Sequence, residues 1–331
     1  MYFSFIIPVY NRPDEINELL QTLTKQTYTS DFEVVVIEDG STINCQSVVD
    51  EYINKLNISY YFKTNSGPGD SRNYGMRVAK GDYFIILDSD CLIPENYLVE
   101  VNTYLNNSFV DCFGGPDAAH ESFSDVQKAI NQTMTSVLTT GGIRGASEKL
   151  GKFQPRSFNM GISKEAFEAS GGFGKIHPGE DPDLSIRLWK MNFKTALIPN
   201  AYVFHKRRIN WEKFYKQVNK FGKARPILNQ RHPEYSKLTY WFPAVFLVGF
   251  YISILFLIVG INVLFYCYAL YFLALLIETL VKTKNLKIAF LTIIATFIQF
   301  FGYGAGFLYS YFLLNIKKQD PQVAMPEMFF K

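Results

Sequence analysis

The chain has 331 residues, room for one or two domains, and a 48% hydrophobic share with 30 Phe and 21 Tyr is rich for a wholly soluble protein, so part of it is expected in a membrane. A net charge of +3 is too small to argue for nucleic acid. The four cysteines, Cys45, Cys91, Cys112 and Cys267, show no C-x-x-C pair or metal-finger spacing, which speaks against a disulfide framework and for idle thiols in a reducing compartment.

Taken in order, the apolar start Phe3–Val9 lacks a basic flank and a cleavage site, and Pro8 interrupts it, so it reads as a strand and not a signal peptide. Pro13 then opens a helix with Ile16, Leu19, Leu20 and Leu23 on one face and Asp14 and Glu15 in its first turn. A strand at 33–37, a helix at 46–56, a strand at 58–62, a loop and helix at 65–79 and a strand at 83–87 follow. This alternation predicts an α/β fold with a mostly parallel sheet flanked by helices and right-handed crossovers, whose C-terminal loops converge on one crevice. Between 114 and 158 the pattern loosens: 124–138 suits a helix, and the glycine-rich stretch from Thr139 to Gly145 a loop. A basic segment begins after His205, where Trp211, Phe214, Tyr215 and Val218 repeat at helical spacing among nine Lys and Arg, a pattern that suits an interface with anionic lipid. The same stripe also suits packing on a neighbouring domain. No charge occurs from 238 to 277, which fits two spanning helices turning near Gly260-Ile261-Asn262; a third uncharged run covers 288–316, where Gly302, Gly304 and Gly306 allow a bend.

Chemistry concentrates at Asp88-Ser89-Asp90. Two carboxylates one residue apart at the end of a buried strand lie where open α/β sheets bind ligands, and their hard oxygens suit Mg²⁺ or Mn²⁺ against a phosphate. The same residues also suit a plain turn. A dinucleotide fingerprint is missing: the turn after the first strand is Tyr10-Asn11-Arg12 without glycine, and Gly67-Pro68-Gly69 is followed by Arg72 at the third-glycine position. A P-loop is missing too.

Residues 5–12, Val36-Ile37-Glu38-Asp39-Gly40-Ser41, residues 65–73 and Leu87-Asp88-Ser89-Asp90, followed by Gly171-Gly172-Phe173 and Gly179-Glu180-Asp181-Pro182-Asp183-Leu184, together resemble family-two glycosyltransferases of the A-type fold over residues 1–225. The stretch 217–225 also resembles a Q-x-x-x-[FY]-G-x-[AG]-R pattern of membrane-attached relatives. The resemblance implies that Pro8 and Tyr10 flank a nucleobase, that Asp39 accepts from its ring N–H, favouring uracil, and that Arg12 and Arg72 lie near base or diphosphate with Gly67 in the same loop. It implies further that Asp90 ligates a divalent metal, that Asp88 contacts ribose or shares the ion, and that His205 reaches the metal or diphosphate. Glu38 stands where family members often have Asp. Asp181 is then the catalytic base and Glu180 orients the acceptor or supports the loop, although Asp181 or Asp183 also suits a helix cap.

The sequence thus predicts a catalytic domain at 1–205 (nucleotide-sugar half 1–113, acceptor half 114–205), a basic interfacial segment at 206–237, a transmembrane region of about three helices at 238–316 and a tail at 317–331. The expected activity is inverting transfer from a nucleotide-diphosphate sugar, UDP-linked by resemblance, to a lipid-linked or polysaccharide acceptor. The domain is expected on the cytosolic side of the inner membrane, with membrane lipids but no nucleic acid as partners. The alternative is a membrane-anchored nucleotide-sugar-binding protein without transferase activity.

Overall fold

The computed structural model describes residues 1–118, 123–140, 152–206 and 210–330. They fall into two compact units: Met1–His120 with Ala146–Lys206 and Phe330–Lys331, and Glu121–Gly145 with Arg207–Phe329. Of the stretch 114–205 expected in the acceptor half, the described residues 123–140 group with the second unit.

In the first unit β1 (Phe3–Val9), α1 (Pro13–Leu23), β2 (Phe32–Asp39), α2 (Gln46–Asp50), β3 (Ile58–Lys63), α3 (Pro68–Val78) and β4 (Tyr83–Leu87) alternate as predicted. The helix expected at 46–56 stops early, at Asp50. Then come β5 (Cys91–Leu92), α4 (Tyr97–Asn107), β6 (Cys112–Gly114) and β7 (Asp117–Ala118), and later β8 (Asn159–Ser163), α7 (Lys164–Ser170), α8 (Glu180–Lys190), β9 (Thr195–Leu197) and β10 (Val203–His205). Seven strands form one sheet in the order β3-β2-β1-β4-β8-β6-β9. Its first four strands are mutually parallel, and β8 runs antiparallel to both β4 and β6. Strand alternation sends Phe3, Phe5, Ile7 and Val9 into one core with α1 and α4, and Ile6 into the other beside Met76 of α3 and Leu184 and Leu188 of α8. Both faces are therefore covered, as a parallel sheet requires. A second sheet of three short strands, β5-β10-β7, brings β10 beside two segments that lie far before it in the chain.

The second unit holds α5 (Asp125–Thr135), α6 (Val137–Thr140), α9 (Trp211–Arg231), α10 (Phe242–Ile258), α11 (Val263–Thr283) and α12 (Leu286–Tyr311). Ser124 caps α5 through a reciprocal capping box with Gln127, and the helix predicted over 124–138 breaks at Ser136. Trp211, Phe214 and Val218 of α9 pack with Ile130 and Met134 of α5 and Ala295 of α12. Tyr215 of the predicted stripe is 43% exposed. No bend occurs at the α12 glycines; the helix is continuous, and they admit its neighbours. A Cβ on Gly306 would meet Asn219 O at 2.2 Å, one on Gly302 would meet Val218 Cγ2 at 2.6 Å, and one on Gly304 would meet Pro243 O at 2.6 Å. Glu278 is paired with Lys282 at 2.6 Å and accepts from Ser136 Oγ at 2.6 Å. Among the described residues, three helices are long and apolar enough to cross a membrane: Leu238–Ile258, Val263–Thr283 and Leu286–Ile316. Gly141 to Gly145, Arg207 and Arg208, singled out in the sequence, lie outside the described residues.

Candidate active site

The loops that follow β1, β2 and β3 are tied to one another before any ligand is considered. Asn11 adopts a left-handed φ of +54°, which a short polar side chain tolerates, and its Oδ1 accepts from Thr42 N at 2.9 Å and Ile43 N at 3.0 Å. Glu38, whose role the sequence left open, is fully buried and accepts from Cys45 N at 2.7 Å and from Ser41 Oγ, so it shapes the loop after β2. Asp39 is 4% exposed. Its Oδ1 accepts from Lys63 Nζ at 2.7 Å and Ser66 N at 3.0 Å, and its Oδ2 from Gly67 N at 3.0 Å. Gly67 opens α3 with φ +94°, and its α-carbon lies against the ring of Phe330, which leaves no space for a side chain. Pro8 is partly buried at the end of β1, and Tyr10 is 52% exposed beside it.

A second cluster lies on the three-stranded sheet. The register of β5 against β10 pairs Cys91 with His205, and β7 lies on the other side of β10 and carries Asp117. His205 Nε2 lies 3.2 Å from Asp90 Oδ1, its Nδ1 lies 3.7 Å from Asp117 Oδ2, and its ring stacks on Phe158 with centroids 4.8 Å apart. Burial works against charge on this imidazole, but the two flanking carboxylates outweigh it and raise its pKa to about 10. Asp90 Oδ2 also pairs with Arg12 Nη1 at 3.5 Å. Among the described residues, Asp90, Cys91 and His205 offer ligand atoms within 4.8 Å of one another. The Cys91 thiol donates to Phe158 O at 3.3 Å, and burial followed by the charge of Asp90 pushes its pKa well up, which keeps it protonated. A bound cation would displace the proton from this imidazole, and the donor set is then a carboxylate and a neutral imidazole, which fits Mn²⁺ or Mg²⁺ better than a thiolate-seeking ion.

Arg72 joins this corner to the residues around α8. It is only 4% exposed, although it stands on α3. Nη2 pairs with Asp88 Oδ1 at 2.7 Å and Nη1 with Glu180 Oε1 at 3.4 Å, while the guanidinium lies over Phe173 at 5.3 Å. Glu180 also meets His177 Nδ1 at 2.9 Å and accepts from Gly179 N at 2.9 Å. Burial disfavours its charge, yet His177 and Arg72 hold its carboxyl below the usual range. Asp181 goes the other way: burial, and then the charge of Glu180, raise its pKa. A helix N-terminus alone predicts the opposite direction; here burial and a like charge are larger than the helix dipole. Asp181 Oδ1 is buried without a hydrogen-bond partner. Neither Asp181 nor Asp183 caps α8, whose N-cap is Gly179 with φ +129° and no side-chain cap. Asp183 instead accepts from Arg187 Nε at 2.9 Å, and Arg187 Nη1 donates to Ser170 O at 2.6 Å.

Four residues of this region were not singled out individually by sequence reasoning. Lys63 and His177 carried no spacing signal. Asn73 clasps the turn before α8, with Nδ2 donating to Phe173 O at 2.9 Å and Oδ1 accepting from Phe173 N at 2.8 Å. Asp117 follows Gly115, where a Cβ would meet Ala201 O at 1.7 Å; a paired glycine before a lone acid was the available signal of close strand approach.

A mostly parallel sheet whose C-terminal loops present Asp39, Asp88 and Asp90, with Asp88 linked through Arg72 to Glu180, defines the A-type fold of nucleotide-sugar transferases. The chain belongs to glycosyl transferase family 2, whose pattern matches residues 4–169. Over 114 residues it is 39% identical to the poly(ribitol-phosphate) beta-N-acetylglucosaminyltransferase TarS of Staphylococcus aureus, covering 34% of this chain and 20% of TarS. Over 196 residues it is 38% identical to an uncharacterized glycosyltransferase of Haemophilus influenzae, covering 56% of this chain and 61% of that one. The alignment thus spans only a fifth of TarS. Among solved structures, TarS 1–349 in complex with UDP-GlcNAc superposes with a TM-score of 0.51 at 21% identity, covering 96% of this chain and 93% of that one. The mannosyltransferase PcManGT of Pyrobaculum calidifontis, in complex with GDP-Man and Mn²⁺, gives 0.57 at 16% identity, covering 96% and 88%. At these identities the likeness is one of fold.

Proposed function

We propose that the protein is a membrane-attached inverting glycosyltransferase that moves a sugar from a UDP-linked donor to a hydroxyl of a membrane-associated or cell-surface glycan. The observation that carries this reading is the Asp88–Arg72–Glu180 bridge, which ties the strand-end carboxylates to a second acidic pair within the reach of one side chain. Asp39 supports uracil. A carboxylate offers about four acceptor positions, and three are taken by Lys63, Ser66 and Gly67, which leaves one for a single ring N–H. Guanine presents two adjacent N–H donors and fits less well.

When Mg²⁺ or Mn²⁺ is bound, held by Asp90 and His205, it supplies neutralisation of the charge that develops on the departing diphosphate. Asp181 takes the proton of the acceptor hydroxyl at Oδ1, the oxygen without a partner, and its raised pKa makes it a stronger base than an ordinary aspartate. Glu180, held ionised by His177 and Arg72, fixes the loop and faces the acceptor. One in-line displacement inverts the anomeric carbon. The catalytic unit belongs on the cytosolic side, where sugar nucleotides are made, and the basic face of α9 favours anionic lipid.

A donor screen with the purified full chain in detergent tests the proposal, scoring nucleoside diphosphate release with and without lipid extract or polysaccharide. Release from a UDP-sugar that rises with acceptor is expected. Tight donor binding without release under every condition would instead mark a binding protein that has lost transfer.

A further inference from the structure

The geometry points to an anchor that crosses the membrane twice, in which α12 lies along the membrane surface as the apolar floor of a platform built with α5 and α9. The three apolar helices differ in how the protein covers them. Half of the most apolar window of α12 is buried within the protein, against 17% for each of the two preceding helices. Two amphipathic helices supply that cover along most of its length. On the N-terminal half, Thr133 Oγ1 of α5 donates to Thr292 O at 3.2 Å and lies 3.3 Å from Thr296 Oγ1, while Ile130 and Met134 pack with Ala295. On the C-terminal half, Asn219 Nδ2 of α9 donates to Gly302 O at 3.0 Å, Ser310 Oγ donates to Lys223 O at 2.8 Å, and Gly222 lies so close that a Cβ would meet Tyr303 O at 2.1 Å.

Those covering helices are polar on their outer sides. α9 exposes Lys213, Lys216, Lys220 and Arg231, while Lys223 and Arg225 lie half-buried over the rings of Tyr309 and Tyr240, and α5 opens with Asp125, paired to Lys287 at 2.8 Å. At 1.5 Å per residue α12 is about 39 Å long, and the hydrocarbon layer is about 30 Å thick. Standing α12 across the bilayer would carry α5 and α9, with their charges, into lipid, where such groups are costly. Laid in the interface, α12 keeps them in water and offers lipid the stripe Leu286, Phe290 and Ile294, spaced at i, i+4 and i+8 and exposed by 54%, 54% and 45%. The α10–α11 pair has the opposite character. Phe242, Phe246 and Phe250 of α10 meet Phe300, Phe297 or Phe301 of α12, whereas Leu255, Ile258, Val259 and Val263 nearer the connecting turn are 63–76% exposed and apolar. With two crossings, Lys282, Lys284 and Lys287 share a side with Lys317 and Lys318, as the positive-inside rule favours. A third crossing would separate them.

Membrane-impermeant maleimide labelling of the full chain in sealed vesicles of known orientation tests this, and it does not depend on any catalytic reading. Cys45, Cys91 and Cys112 are buried, so only Cys267 is exchanged for Ser before Ser236→Cys or Gln319→Cys is introduced, both at exposed positions. Labelling of both from the same side is expected. Labelling from opposite sides would overturn the inference and restore three crossings; labelling of both from outside would remove the cytosolic assignment and leave this one standing.

Discussion

Asp181 and Asp183 are two residues apart on α8, and their surroundings separate their tasks. Asp181→Asn preserves shape but removes the proton acceptor, so transfer should fall by at least about a hundredfold while the dissociation constant for the donor stays near wild type. Asp183→Asn should lower the melting temperature by removing the carboxylate that pairs with Arg187, with a far smaller effect on transfer; equal losses of transfer in the two variants would remove Asp181 as base. The sign of the pH dependence follows from the raised pKa of Asp181. Activity is present above that pKa and disappears as pH falls through it, so the acid limb of the kcat/KM profile should lie above the ordinary aspartate value of about 3.9. A limb at or below that value would contradict the assignment. Asp117 permits a further prediction. It faces the ring nitrogen of His205 opposite the one that meets Asp90, the place where a carboxylate fixes a ligating imidazole. Asp117→Asn should weaken Mn²⁺ binding, followed by electron paramagnetic resonance, by about 10- to 100-fold. EDTA should abolish turnover reversibly in the native chain, and full activity in EDTA would take the metal out of the mechanism.

At the scale of elements, α3 is held to the turn before α8 by Asn73, whose side chain makes both hydrogen bonds to Phe173 from a site only 7% exposed. Asn73→Ala leaves a buried N–H and C=O without partners, each costing about 1–3 kcal/mol, so a clear drop in melting temperature is expected together with weaker coupling of Arg72 to Glu180. A variant that melts like the wild type would show that the turn is fixed by other contacts. The elements themselves were legible wherever their hydrophobic pattern was local. The strand cores of β1 to β4 and the helix face Ile16, Leu19, Leu20 and Leu23 follow from spacing alone, and all of these helix residues are buried. The helix after β2 ended early, and the one before α6 broke at Ser136, because capping and backbone hydrogen bonds decide such ends. The three-residue and two-residue strands β5, β7 and β10 were not predicted as a sheet, since pairing partners so far apart in the chain leave no mark on a local window.

For the molecule as a whole, the acidic motifs were visible as motifs, while the basic groups that organise them were less so. Asp88, Asp90, Glu180 and Asp181 stood out because paired carboxylates at element ends are conspicuous; Lys63 and His177, which hold Asp39 and Glu180, look like any other polar residue until the chain is folded. Length and hydropathy found all three apolar helices but had no means of telling a helix surrounded by lipid from one roofed by its own chain. The glycines of α12 invited a bend and instead admit helices on two sides, with Gly302 and Gly306 towards α9 and Gly304 towards α10. That arrangement has an evolutionary cost. Every amino-acid change at a glycine codon adds volume, and here the added atom would meet backbone or a packed side chain on whichever side it falls. The segment therefore has no neutral neighbours in sequence space. A saturation screen for folded protein should find 302, 304 and 306 as intolerant as the acidic motifs, so invariance there among homologues will record a packing constraint.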